Sequence, residues 1–233
     1  MGLLNDISKE VDEIFKTRWE NRKGTVIPNP EDVQLGNDAV TIEGTVLYAD
    51  LADSTQLVKN FKGWFAAEIY KAYLTSACRL IRDNGGEITA FDGDRVMAAF
   101  IGGSKNTSAA KTALQINYVV REIINPKLKA AYPNDNYTIS QTVGIDTGEL
   151  FIARTGIRGS NDLVWVGQAA NYAAKLSALR EGNYATFITS DVFTNLHESL
   201  KYGGNSKQLM WEKRTWTQQN QEVYRSSWKW KPD

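Results

Sequence analysis

The sequence predicts an α+β fold, a mixed and mainly antiparallel sheet with helices packed on it. Three observations point there. Short apolar runs such as TVLYAD (45–50), bounded by glycine and acids, read as strands. Between them lie stretches with helical spacing, such as Phe65, Ile69, Ala72, Tyr73, Ala77 and Leu80 on one face. Asp92-Gly93 between two apolar runs is a two-residue hairpin signal. The resulting order, βα(α)ββαβ followed by βαβ and a closing hairpin, is of the ferredoxin-like type with helices on one side.

The elements follow in order. Leu4, Ile7, Val11, Ile14 and Phe15 make residues 3–20 an amphipathic helix, with a stripe for the core or for a second subunit. GTVIPNPEDVQLGND (24–38), with two prolines and two glycines, reads as a connector. After TVLYAD, STQLVKNF is a short helix with Ser54 or Thr55 as N-cap. The long helix 64–84 stops at Gly85-Gly86. The hairpin 87–100 follows, then a helix over 108–125 ending before Pro126. YTISQTVGIDTGELFIART reads as two strands around Thr147-Gly148, and DLVWVG as another. QAANYAAKLSALREG is a helix burying Tyr172, Leu176 and Leu179, with Gly182 past its end. A strand, a short helix and two aromatic-rich strands close the chain.

With 233 residues, the chain is long for one domain and short for two. We expect an N-terminal helix and connector over 1–40 and one domain over 41–233. The net charge of +0 removes the electrostatic case for nucleic acid or a membrane surface. A single cysteine, Cys78, rules out an internal disulfide, and a cytoplasmic location is the simplest setting. A single histidine, His197, rules out a histidine-cluster metal site. No run approaches the roughly 20 apolar residues of a membrane span. The N-terminus lacks a signal-peptide pattern, and Asp6 fails the myristoylation pattern at Gly2.

The acids carry the chemistry. Tyr48 and Asp50 alternate onto one strand face, with Asp50 at the strand's end. Asp94 follows the hairpin glycine Gly93. Two carboxylates brought together repel unless a cation lies between them. Hard divalent ions suit one or two carboxylates plus phosphate oxygens. The plainer reading makes Asp50 a helix cap and Asp94 a turn residue. The loop Leu51, Ala52, Asp53, Ser54, Thr55 runs into a helix start and can offer N–H groups to phosphates. Asn171 and Lys175, four apart, share a helix face that is suited to a sugar and a phosphate or is simply solvated.

Three blocks together resemble the class III nucleotidyl cyclases: VLYADLADST, GGEITAFDGDRVMAAF, and VGIDTGELFIARTG followed by VWVGQAANYAAKLSAL. The resemblance covers roughly residues 41–190. It implies a homodimer with composite sites. Asp50, the Leu51 carbonyl and Asp94 would hold two Mg²⁺ or Mn²⁺ ions on one subunit. Asn171 of the other would position the ribose, and Lys175 would stabilise phosphate charge. The implied chemistry is cyclisation of a nucleoside triphosphate with release of pyrophosphate.

The departures from that pattern point to the base. Ala90 stands four residues before Asp94, where purine cyclases carry a lysine. Val164 stands seven before Asn171, where they carry a polar purine-reading residue. Alanine and valine side chains cannot hydrogen-bond a purine edge. Lys175 replaces an arginine and loses its bidentate fork. Tyr48 projects from the face of Asp50 and would exclude a purine. The combination resembles the pyrimidine cyclases of bacterial antiphage signalling, whose cyclic UMP or cyclic CMP activates a separate effector. UTP is favoured over CTP, with Arg95 as a donor to the uracil. Lys213 and Arg214 both remain candidates for the phosphate-binding cation. A purine cyclase with unusual base contacts and a non-catalytic domain of the same fold are the remaining readings.

Overall fold

The computed structural model describes residues 2–233. The chain begins α1 (Leu3–Lys16), β1 (Glu20–Lys23), β2 (Asp38–Leu51), α2 (Ser54–Asn60), α3 (Gly63–Asp83), β3 (Glu87–Asp92) and β4 (Arg95–Phe100). It continues with α4 (Lys105–Val119), α5 (Asn125–Ala131), β5 (Gln141–Ile157), β6 (Ser160–Val166), α6 (Gln168–Ser177) and β7 (Thr186–Thr189). It closes with α7 (Ser190–Thr194), α8 (Glu198–Lys201), β8 (Tyr202–Gly203), β9 (Gln208–Leu209), β10 (Glu212–Trp216) and β11 (Gln221–Ser226). Among the described residues, no helix is long and apolar enough to cross a membrane.

The chain divides into two units, Met1–Glu43 with Glu149–Gly167, and Gly44–Gly148 with Gln168–Asp233. In the first, α1 buries none of its residues, and its apolar stripe is exposed from Leu3 to Phe15. Asn37 Nδ2 donates to the carbonyls of Ile14 and Thr17, so the helix closes at Lys16, short of the expected position 20. The expected connector contains ordered pairing. β1, four exposed residues with no apolar signal, runs parallel to the start of β2 from Glu20↔Asp38 to Lys23↔Thr41. The far end of β5 folds back on β6 in a hairpin closed at Ile157↔Ser160.

The second unit holds the larger sheet, ordered β10-β11-β7-β5-β2-β4-β3. β2–β4, β4–β3, β7–β11 and β10–β11 pair antiparallel, and β5–β7 pair parallel. Leu47, Ala49 and Leu51 of β2, Val143 and Ile145 of β5, and Ile188 of β7 bury one face against α3 and α4. Burying each of the leucine, valine and isoleucine side chains stabilises by about 1.5–3 kcal/mol. α6 lies on the other face, where Leu176 packs on Phe187, Trp216 and Val223. Gly144 makes that possible, because a Cβ there would stand 2.1 Å from the Ala173 carbonyl oxygen and 2.4 Å from the Ser177 nitrogen. Helices therefore cover both faces, which corrects the one-sided arrangement expected from element order.

Four boundaries also differ. The expected helix over 108–125 continues through a π-helical turn at Val120–Ile124 to Ala131. The wider turn admits Pro126, which has no N–H to give. β5 is one continuous strand through Thr147 and Gly148. α6 stops at Ser177, and Gly182 sits at φ +59° in the turn between Glu181 and Tyr184. Asp92 pairs with Arg95, so the hairpin turns on Gly93-Asp94, one residue later than expected.

Candidate active site

The register of β2 on β4 places Asp50 opposite Arg95 and Tyr48 opposite Met97. β3 continues the rows, with Asp92 opposite Arg95 and Ala90 opposite Met97. Ala90, Met97 and Tyr48 thus form one row across three strands, and Asp92, Arg95 and Asp50 the next. Both rows lie on the face opposite Leu47, Ala49 and Leu51. The Arg95 guanidinium carbon stands 5.3 Å from the Tyr48 ring centre and its Nη2 donates to Asp92 at 2.6 Å. Burial raises the Tyr48 pKa, Arg95 opposes that, and Asp92 reinforces it.

Asp94 occupies the β3–β4 turn beside this row. Its Oδ2 is buried and has no hydrogen-bond partner. Asp50 titrates above the usual aspartate range, first through burial and further through Asp94, while Arg180 and Arg95 oppose the shift. The structure therefore brings Asp50 and Asp94 together. Leu51 itself is buried in the core, so only its backbone can face a ligand. Among the described residues, no group of three or more His, Cys, Asp or Glu can hold a metal ion. Two carboxylates, one of them with an orphaned buried oxygen, and a backbone carbonyl nevertheless fit a hard divalent ion that takes its remaining oxygens from phosphate and water.

The loop after β2 differs in detail from expectation. Asp53 is the N-cap of α2 at φ 59°, and Ser54 and Thr55 are its first helical residues rather than its cap. The Ala52 N–H is already donated to the Ser140 carbonyl at 2.8 Å, which takes it from the set of free loop donors.

Asn171 and Lys175 lie exposed on α6, while Ala173 and Leu176 of the same helix are buried. Lys175 Nζ stands 6.0 Å from the Tyr172 ring centre. Val164, on β6 in the other unit, is 38% exposed and pairs with Ala153. Lys213 pairs with Glu222 at 2.5 Å, and Arg214 meets Glu181 at 3.4 Å.

Sequence reasoning missed three groups. Arg180 Nη2 donates to Asp50 Oδ2 at 2.8 Å. A cation just past a helix end is common in sequence and does not point to a partner on a distant strand. Tyr73 on α3 is fully buried with an orphaned hydroxyl, and its pKa is driven well up by burial, then by Asp50 and Asp94. The Tyr137 hydroxyl is likewise unpartnered and pushed up to about 12 by burial, then by Asp53, Tyr70 and Asp94. Both tyrosines sat in apolar patterns, and helical or strand periodicity carries no information about what their hydroxyls face.

The chain is similar to known proteins along its whole length. A protein named uridylate cyclase from Xanthomonas perforans is 49% identical over 235 residues, covering 100% of both chains. Another of that name from Burkholderia cepacia is 49% identical over 232 residues, covering 99% of each. Among solved structures, a bacterial light-regulated adenylyl cyclase superposes with a TM-score of 0.70 at 24% identity, covering 85% of this chain and 54% of that one. A guanylyl cyclase superposes at 0.67 with 17% identity, covering 82% of this chain and 95% of that one. No protein-family profile matches the chain.

Proposed function

Because the chain belongs to the uridylate cyclases, within the class III nucleotidyl cyclase fold, and is a nucleotidyl cyclase, we propose that it converts UTP into 3′,5′-cyclic UMP and pyrophosphate. CTP is the next substrate. The 3′-oxygen bonds to the α-phosphorus, the bond from that phosphorus to the bridging oxygen breaks, and the hydroxyl proton passes to solvent. Two divalent ions, Mn²⁺ or Mg²⁺, would activate the attacking oxygen and neutralise the leaving phosphates.

The chain's own residues supply position and charge. Asp50, the Leu51 carbonyl and Asp94 would hold the ions. The start of α2, from Asp53 to Thr55, lies under the phosphates, with Ala52 shaping the loop. Lys213 and Arg214 are both candidates for binding the distal phosphates, and each must first leave its carboxylate partner. Asn171 and Lys175 act from a second copy of the chain, on the ribose and on the phosphate charge. Their exposure on α6, away from the sheet that carries Asp50, supports composite sites in a homodimer.

One observation carries the base preference. Tyr48 stands two residues before Asp50 on the same face, in a row with Ala90 and beneath Arg95. The ring fills space where a purine's second ring would extend, and Ala90 offers no hydrogen bond in its place. Arg95 keeps donors beyond those given to Asp92 and can reach a uracil oxygen. Val164 withholds the polar contact a purine needs. As in the antiphage systems that the sequence resembles, cyclic UMP would act in the cytoplasm as a second messenger of antiviral defence on a separate effector.

The test is incubation with each of the four nucleoside triphosphates and Mn²⁺, with products identified by mass spectrometry. Cyclic UMP is expected to dominate, with cyclic CMP second. Dominant cyclic AMP or cyclic GMP would overturn the pyrimidine assignment.

A further inference from the structure

Arg180 follows α6 and spans two structures that sequence order does not connect. Its Nη1 donates to the carbonyls of Ser177 at 2.7 Å and Leu179 at 2.9 Å, closing the helix end. Its Nη2 donates to Asp50 Oδ2 at 2.8 Å. A guanidinium is planar and rigid, so two bonds at Nη1 fix the direction of Nη2. The backbone is held as well. Glu181 pairs with Arg225 at 2.5 Å and Arg214 at 3.4 Å, and bridges to Tyr184 across the Gly182 turn. Arg180 therefore does not reach Asp50 as a loose surface side chain. Its donor is aimed from a frame pinned on both sides.

That frame does little for stability. The pair is partly solvated, with side-chain exposures of 36% for Arg180 and 19% for Asp50, and pairs open to solvent contribute little to stability. Its consequence is geometric. One carboxylate oxygen is taken and the carboxylate plane is set, which leaves Oδ1 for another ligand. Carboxylates that hold metals are themselves held by hydrogen bonds from outside, and losing such a partner typically costs about 10–100-fold in metal affinity or activity.

We propose that Arg180 is a positioning residue for the cation site, orienting the Asp50 carboxylate through Oδ2 from a guanidinium anchored on the end of α6. This rests on the assignment of Asp50 as a metal ligand made above.

The test measures free Mn²⁺ by electron paramagnetic resonance. The protein is mixed with a non-cyclisable uridine 5′-(α,β-imido)triphosphate, so no turnover enters the reading. Arg180→Ala should weaken Mn²⁺ binding about 10- to 100-fold. Arg180→Lys, which keeps a charge near Asp50 but not the fork, should recover part of the loss. Thermal melting of each variant reports the helix-end bonds separately, because a merely structural arginine would shift melting and leave Mn²⁺ affinity unmoved. If Arg180→Ala misfolds, the Lys variant carries the comparison, and wild-type Mn²⁺ affinity in it would overturn the proposal. Unchanged or tighter Mn²⁺ binding in Arg180→Ala would overturn it too, the tighter result showing a competitor rather than a support. Asp50→Asn separates the two levels. If it binds Mn²⁺ as wild type does, the metal assignment falls and this proposal with it. If it loses Mn²⁺ while Arg180→Ala keeps it, only the role of Arg180 falls.

Discussion

Asp50 and Asp146 lie on the same face of the same sheet, yet their surroundings divide them. Asp146 is 2% exposed in β5, with Oδ1 accepting from the Thr189 hydroxyl at 2.6 Å and Oδ2 sealed without a partner. Burial pushes it up to about 6 against the pull of Thr189 and the Thr147 backbone. Burial raises Asp50 as well, but Asp50 sits at a strand end with an arginine on one oxygen and a second carboxylate nearby. Burial alone therefore does not identify a reactive acid. A like charge does not separate them either, since Asp191 acts on Asp146 as Asp94 acts on Asp50; what marks Asp50 is a side chain 19% exposed at a strand end, with Arg180 on one oxygen.

The most drastic way to break the comparison is to lift α6 from the face that both acids share. Gly144→Ala would drive a Cβ into the Ala173 and Ser177 backbone. A close approach to backbone cannot be relieved by a rotamer change, so a loss of at least about 3 kcal/mol and of cooperative melting is expected.

Asp146→Asn should act in the opposite direction. A carboxylate raised in the folded state binds more protons there than when unfolded, so stability falls as pH rises from about 4 to about 6. Above that window the full penalty applies, and the neutral amide removes it. Melting at pH 7.5 should show the variant more stable by about 1–3 kcal/mol, with the gain vanishing near pH 4. A gain that is independent of pH would show that the ionised acid is not the cause.

Tyr48→Ala sharpens the other side of the comparison, since it leaves both carboxylates in place. The ratio of ATP to UTP turnover should rise by about 10-fold or more. A fixed ratio would remove steric exclusion by the ring. The smallest effect concerns the C-terminal cations. Lys213→Ala and Arg214→Ala should each leave the melting transition almost unmoved, since both cations are at least half exposed. The one that binds phosphate should also raise the KM for UTP.

Much of this was legible in the sequence where a residue's own alternation decides its face. Tyr48 and Asp50 fall together by strand parity, and the glycine at 93 marks the turn that carries Asp94 to the same end. The composition of β1, four exposed polar residues, held no such signal, and pairing alone defines it. The placement of α6 opposite α3 and α4 was hidden for a different reason. Element order does not say which face a helix covers, and the telling residue, Gly144, has meaning only once the helix backbone is seen above it. Arg180 was illegible for the same cause, because its partner lies 130 positions away.

The most direct measurement is the rate of Mn²⁺-dependent pyrophosphate release from UTP in Asp50→Asn, Asp94→Asn and Asp146→Asn, each first shown to be folded by its melting transition. The first two should lose about 10³-fold or more, and the third should stay within about threefold of wild type. Turnover retained in both Asp50→Asn and Asp94→Asn would contradict the assignment of chemistry to the end of β2.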